Sequence, residues 1–143
     1  MKILILGAGS VGSSVAAALA TEKNDITVVD TDHHRLRELA AKLDIRTIVR
    51  HASLPSVMVQ AGAEDAGLLV AVTSSDEVNL IACQVAESLS KTGTRVARLR
   101  ESEYLGIAGA VTAAISPEQL VCKHIERLIE YPGALQVLDF ADG

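Results

Sequence analysis

A chain of 143 residues with 49% hydrophobic residues is the size of one domain and can bury one core. Its 2% aromatic content and lack of Trp require a core of Val, Leu, Ile and Ala, the composition of parallel strands covered by helices on both faces. Thirteen Lys and Arg against eighteen Asp and Glu leave a net charge of −5, which excludes the concentrated basic face of a nucleic-acid binder. Cys83 and Cys122 are far apart in helix-like segments with no Cys-x-x-Cys spacing, so both read as reduced core thiols of an intracellular protein. Residues 3 to 21 carry no charge and mimic a signal peptide or membrane span, but Gly7, Gly9 and Gly12 with Ser10, Ser13 and Ser14 interrupt the run. The other long uncharged run, Tyr104 to Pro117, has fourteen residues and is too short to span a bilayer as a helix.

Apolar runs bounded by turn signals alternate with amphipathic stretches, the pattern of a parallel sheet with crossover helices. Ile3 to Leu6 reads as a buried strand and Ser10 to Glu22 as the helix after it. Ile26 to Val29 is the second strand. Asp32 can cap the next helix, in which Leu36, Leu39, Ala40 and Leu43 recur at helical spacing while Arg35, Arg37, Glu38 and Lys42 take the wet side. Ile45 to Val49 is the third strand, and Ser53 is expected to cap a short helix with Pro55 in its first turn and Gly62 at its left-handed end. Leu68 to Val72 is an unbroken apolar strand; Ser75 opens a helix to about Leu89, and Thr94 to Leu99 is the fifth strand. Residues 101–115 are punctuated by Gly106 and Gly109 and can hold a short helix and a sixth strand. Ser116-Pro117-Glu118 starts a last helix with an apolar face of Leu120, Val121, Ile125, Leu128 and Ile129. Ala134 to Phe140 reads as a strand beginning where the chain stops, and the expectation is a longer protein.

The fold class is therefore α/β, a Rossmann-type doubly wound parallel sheet in a single domain. Gly7-Ala8-Gly9-Ser10-Val11-Gly12 lies between the first strand and the first helix, the context that gives this spacing meaning. Gly7 permits the tight turn, Gly9 lets the backbone approach a pyrophosphate, and Gly12 lets the helix pack closely on the strand. The helix start and its positive dipole end would hold the phosphates. Asp30, eighteen positions after Gly12, ends the second strand and is placed to accept from adenosine ribose hydroxyls. Its charge would repel the extra phosphate of NADP. Asp32 reads as a helix cap before a ligand contact.

Ligands of open parallel sheets bind outside the carboxyl edge, so further candidates sit at the other strand ends. His51, with Arg50 and Ala52, follows strand three; it either borders an adenine or is an ordinary turn residue. Thr73 and Ser74 follow strand four and offer hydroxyls to ribose or phosphate, or serve the helix start beside them. Arg98 and Arg100 are expected to share a strand face, one reaching a phosphate and the other pairing with Glu101 or Glu103; surface pairing of each is the alternative. His33, His34 and His124 sit among charged helix positions and read as solvated.

The glycine loop, Val29-Asp30-Thr31-Asp32, the Ala61 to Ala66 segment, Ala71-Val72-Thr73-Ser74-Ser75-Asp76-Glu77-Val78-Asn79, Val96 to Arg100 and Leu128 to Leu135 together resemble the N-terminal KTN (RCK) domain of the TrkA family of potassium-uptake regulators. The resemblance covers nearly the whole chain. It implies a domain over residues 1–133, with 134–143 starting a following segment or linker. It also implies a cytoplasmic regulatory subunit, peripheral on the membrane through a Trk-type potassium channel partner, whose binding of NAD(H), or of ATP or ADP, gates that partner. Homo-oligomers are implied as well, with the helix from Pro117 to Glu130 as the dimerisation element.

The chain departs from the family pattern at Ser10, where many relatives carry Arg, and at Arg50-His51-Ala52, where many carry Gly-Asp-Ala. The stretch from Tyr104 to Ser116 is also shorter. Ser10 leads to the expectation of a pyrophosphate ligand such as NADH over one gripped by its terminal phosphate. The alternative from another class is the cofactor domain of an NAD-dependent oxidoreductase. That enzyme needs a proton donor facing the nicotinamide, and His51 and Asp76 have no evident partner in the sequence. A transcription factor would need a basic recognition helix, which is lacking.

Overall fold

The protein is described by a computed structural model over residues 1–21, 23–90, 93–115 and 136–137. Its organising element is β1 (Lys2–Leu6), whose residues from Ile3 to Leu6 are all buried. A strand reads as an unbroken apolar run when both of its faces are covered, and β1 is covered on both. Ile3 and Ile5 enter one core with Val15, Ala16 and Leu19 of α1 (Ser10–Leu19) and Leu36 and Leu39 of α2 (His33–Lys42). Leu4 and Leu6 enter the other, with Val57 and Met58 of α3 (Pro55–Gln60) and Leu80, Ala82, Cys83 and Ala86 of α4 (Asp76–Leu89). The doubly wound arrangement follows from period-two alternation on the strand meeting an apolar helix stripe on each side.

The remaining strands are β2 (Asp25–Asp30), β3 (Arg46–Val49), β4 (Leu68–Ala71), β5 (Thr94–Arg98), β6 (Ala113–Ile115) and a two-residue β7 (Gln136–Val137). Every pairing is parallel and the spatial order is β3-β2-β1-β4-β5-β6-β7. Leu6 lies opposite Val29 on one side and Ala71 on the other, and Ala71 opposite Ala97. The central strands thus end level, and the loops that leave them converge at one edge.

Local signals account for the element starts. Asp32 caps α2, its Oδ1 accepting from the N–H of His34 at 3.0 Å and of Arg35 at 3.1 Å. Ser75 caps α4 through the Val78 N–H at 3.2 Å. Gly62 takes a φ of +87° after α3, the left-handed position expected of it.

Several boundaries differ from the sequence expectation: β1 begins at Lys2 rather than Ile3, β2 spans Asp25–Asp30 rather than Ile26–Val29, β4 ends at Ala71 rather than Val72 and β5 at Arg98 rather than Leu99. The first helix stops at Leu19 rather than near residue 22, and β3 begins at Arg46 rather than Ile45. Ser53 does not cap α3: Leu54 stands at the N-cap with no side-chain bond, Pro55 opens the helix, and the Ser53 hydroxyl lies 2.9 Å from His51 Nδ1. The stretch between β5 and β6 holds a 3₁₀ turn, Ser102–Ile107, and the sixth strand. The expected helix from Pro117 to Glu130, with Cys122 and His124 on it, lies outside the described residues.

Candidate functional site

The glycine loop is shaped by what cannot stand beside it. Gly7 has a φ of +105°, and a Cβ there would sit 2.9 Å from the Val72 carbonyl oxygen. A Cβ on Gly12 would meet the Gly7 carbonyl oxygen at 1.7 Å, so α1 crosses β1 at a distance only glycine allows. Gly9 is different: the nearest atom to a Cβ placed there is Arg35 Nη1, at 3.9 Å. Its open side is therefore bounded by a guanidinium and not by backbone. No side chain caps α1, whose N-cap is Gly9. The first N–H groups of a helix have no intrahelical partner. Those of α1 face a cleft.

That cleft has a volume of about 410 Å³ and lies across the carboxyl ends of β1, β2, β4 and β5. From the glycine loop it is lined by Gly7, Gly9, Ser10 and Val11. From the other strand ends come Asp30, His51, Ala52, Thr73, Ser74 and Arg98. Two residues read as site members from the sequence lie off its wall. Gly12 is packed under the loop, and Ala8 is buried with its N–H donated to Asp30 Oδ2 at 2.6 Å.

Asp30 holds the floor together before any ligand is considered. Its Oδ2 takes the Ala8 N–H and its Oδ1 takes the Asp32 N–H at 2.7 Å. A carboxylate has about four acceptor sites, so two backbone bonds leave lone pairs for ribose hydroxyls. Asp32 turns to its own helix: the Arg35 N–H foremost, helped by the His34 N–H and the Arg35 charge, holds its carboxyl below the usual value of 3.8 against the opposing effect of desolvation. Asp32 Oδ2 also lies 3.5 Å from Arg35 Nε. Asp30, Asp32 and Arg35 thus form a chain from the strand end to the mouth of the cleft.

On the opposite wall Thr73 has less freedom than its hydroxyl promises. Thr73 Oγ1 lies 2.7 Å from Asn79 Oδ1 and accepts the Ser75 N–H at 3.2 Å. Asn79 is fully buried, takes the Thr73 N–H on Oδ1 at 3.0 Å and donates from Nδ2 to the carbonyls of Thr73 and Arg98, at 3.2 and 2.9 Å. The exposed Ser74 is the hydroxyl of this pair that faces outward.

Asp76, weighed from the sequence as a proton donor, is buried and accepts from the N–H groups of Arg100, at 2.9 and 3.0 Å, and Glu101, at 2.8 Å. It is a structural tie. Arg98 and Arg100 do not share a face, because β5 ends at Arg98; Arg98 lines the cleft and Arg100 a separate shallow depression with Glu101 and Tyr104. His51 stands exposed at the cleft rim with its Nδ1 engaged by Ser53.

The residues that sequence reasoning missed are Arg35, assigned to the solvated side of α2, and Asn79. A helix wheel places Arg35 on the polar face correctly and says nothing about the loop across from it. Asn79 carried one local signal, a lone Asn in the first turn of an otherwise apolar helical pattern.

A parallel sheet whose order reverses at β1 and β4, with its cleft at that reversal and a glycine loop on the first crossover, defines a Rossmann-type domain of nucleotide-binding form. Residues 3–117 match the family model described as the TrkA-N domain, and the chain belongs to that family. It is 57% identical, over an alignment of 150 positions covering 100% of this chain, to the Trk system potassium uptake protein TrkA of Halomonas elongata. It spans about a third of that relative's length, 33%. Among solved structures, the TrkA-N domain of the inner membrane protein ybaL from Escherichia coli is similar at a TM-score of 0.73 and 20% identity, over 90% of this chain and 96% of that one. The GsuK channel bound to NAD is similar at 0.68 and 19% identity, over 80% of this chain and 21% of that one, and GsuK has also been solved bound to ADP. At such identities these two likenesses concern the fold. No helix among the described residues is long and apolar enough to cross a membrane.

Proposed function

We propose that this chain is the nucleotide-sensing domain of a regulatory subunit of a Trk-type potassium uptake system, binding NAD(H), or ATP or ADP, in the glycine-loop cleft. The observation that carries the reading is the cleft itself: an uncapped helix start, an acceptor at Asp30 and arginines 35, 50 and 98 on one wall system of about 410 Å³. Helix N–H groups and guanidinium groups bind phosphate, while a carboxylate at the end of β2 accepts from ribose. Asp30 and the uncharged loop residue Ser10 favour a dinucleotide with an unphosphorylated adenosine ribose, NADH before ATP.

The output is a change in a channel-forming membrane partner, with the subunit on the cytoplasmic face and assembled as a homo-oligomer, the segment 117–130 serving the pairing. A nucleotide shifts such an assembly by its difference in affinity between two arrangements of the domains. An oxidoreductase reading is disfavoured by Asp76, whose carboxylate is used up on the amides after β5.

Calorimetric titration with NADH, NAD, ATP and ADP tests the reading. Asp30→Asn removes the charge and one of the two acceptors that hold the Ala8 and Asp32 N–H groups, and weakens NADH binding by about tenfold or more. Failure of all four nucleotides to bind at millimolar concentration overturns the proposal.

A further inference from the structure

The loop from Gly7 to Gly12 contains no charged residue, so whatever cation meets a nucleotide's phosphates must reach in from another element. Arg35, Arg50 and Arg98 line the cleft, and they are not equivalent. Arg50 donates from Nη1 to Gln60 Oε1 at 3.3 Å, away from the glycines. Arg35 reaches the loop at Gly9, its Nη1 3.9 Å from the position a Gly9 Cβ would take, where no atom of Arg50 or Arg98 comes within 4 Å. Gly9 is the glycine whose missing side chain admits a pyrophosphate.

The Arg35 guanidinium is held there from behind. Asp32 Oδ2 lies 3.5 Å from its Nε, and Asp32 is itself fixed by its N–H on Asp30 Oδ1 at 2.7 Å. Neither Nη group makes a hydrogen bond or ion pair among the described residues. Arg35 also borders a second depression of about 290 Å³ with Ser10 and Lys42, so the guanidinium sits at a junction reached from two sides.

We propose that Arg35, a residue of α2, is the phosphate grip of this site, pairing through its Nη groups with the 5′-linked phosphates of an adenine nucleotide laid over Gly9. The inference rests on the reading of the cleft as a nucleotide site. It makes Arg35 a specificity residue: adenosine needs only Asp30 and the cleft wall, whereas AMP, ADP and NADH each need the guanidinium. Arg is suited to the role because its planar fork meets phosphate oxygens in two parallel bonds, which a Lys ammonium cannot reproduce.

Titration calorimetry of adenosine, ADP, NADH and NADPH against the unaltered protein, Arg35→Gln and Arg35→Lys decides the matter. The Arg35 side chain is 58% exposed and its N–H stays on the Asp32 cap in either variant, so the fold is kept; circular dichroism and the melting temperature check this. ADP and NADH are expected to bind Arg35→Gln about tenfold or more weakly, with Arg35→Lys intermediate and adenosine unchanged. If ADP binds the unaltered protein and Arg35→Gln equally, Arg35 has no phosphate role and the proposal falls while the nucleotide reading stands. A loss confined to NADPH places Arg35 at the ribose 2′ position and also overturns the proposal, as does an equal loss for adenosine. Absence of binding to the unaltered protein overturns both readings together.

Discussion

Asn79 has no exposed surface, yet each end of its amide is used twice. A buried amide survives only when satisfied, and here the satisfaction joins the end of β4 to the end of β5 across the cleft wall. Asn79→Leu keeps the heavy-atom skeleton but strands the Thr73 N–H and the Arg98 carbonyl and adds volume at a fully buried position, so a loss of about 2 kcal/mol or more is expected in urea unfolding. An unchanged midpoint would show that the network adds nothing. Cys83, beside it on α4, is a different buried group: burial foremost pushes its thiol from a usual 9.0 up to about 12, with Arg95 opposing. A raised pKa means the folded state favours the protonated thiol. Its contribution is full below pH 9 and is lost as pH climbs towards 12. Cys83→Ala therefore flattens the decline of stability in that alkaline window, read from urea midpoints at successive pH values. Neither residue's partners could be read from the sequence, since they lie on other strands; Asp76 and Arg35 escaped for the same reason.

The helices divide into those that close their own ends and the one that leaves its end to the cleft. Asp32 and Ser75 cap α2 and α4, while α1 begins at Gly9 with no side-chain cap. Ser75→Ala removes the bond to the Val78 N–H and is expected to cost about 1 kcal/mol, measured by thermal unfolding. Glu77 in the same turn is held below its usual 4.5 foremost by its own backbone N–H, then by the Tyr104 hydroxyl at 2.9 Å and the Ser75 hydroxyl. A depressed carboxylate pKa contributes stability above its ordinary value and loses it as pH falls through the lower folded one. Asp32 behaves likewise. Ser75→Ala should thus lower the melting temperature at neutral pH, and the deficit should shrink as pH falls below 4.5, because part of the Glu77 depression is lost with the Ser75 hydroxyl. The element starts were legible because Asp32, Ser75 and Pro55 act within their own turn. Ser53 misled because its hydroxyl had a competing partner two residues back in His51. The glycine loop and Asp30 were legible as a pair because their spacing is set by one strand–helix–strand unit, whereas Arg35 becomes part of the site only when α2 packs on the same core of the sheet as α1.

At the scale of the whole molecule the sheet is the one element both cores share, and the cleft lies where its central strands end. Leu36 belongs to the core beneath α1 and α2, Met58 to the core beneath α3 and α4, and both are buried. Truncating either to Ala is expected to cost about 2–5 kcal/mol, because a cavity is left in addition to the lost transfer energy. If the two cores unfold as one unit, every variant shows a single transition. A nucleotide at about a hundred times its Kd then adds about 2.7 kcal/mol to each, since the increment depends only on affinity for the folded state. Met58 makes no part of the cleft wall, so Met58→Ala should bind NADH with unchanged affinity and gain that full increment. A smaller gain, or a second transition, would mean that the side of the sheet carrying β3 and α3 opens independently, taking Arg50, His51 and Ala52 out of the cleft wall and leaving the glycine loop and Asp30 in place. The nucleotide would then report on only half of the domain, and a conformational signal from the cleft would have to leave through α1, α2 and β5 rather than through the sheet as a whole.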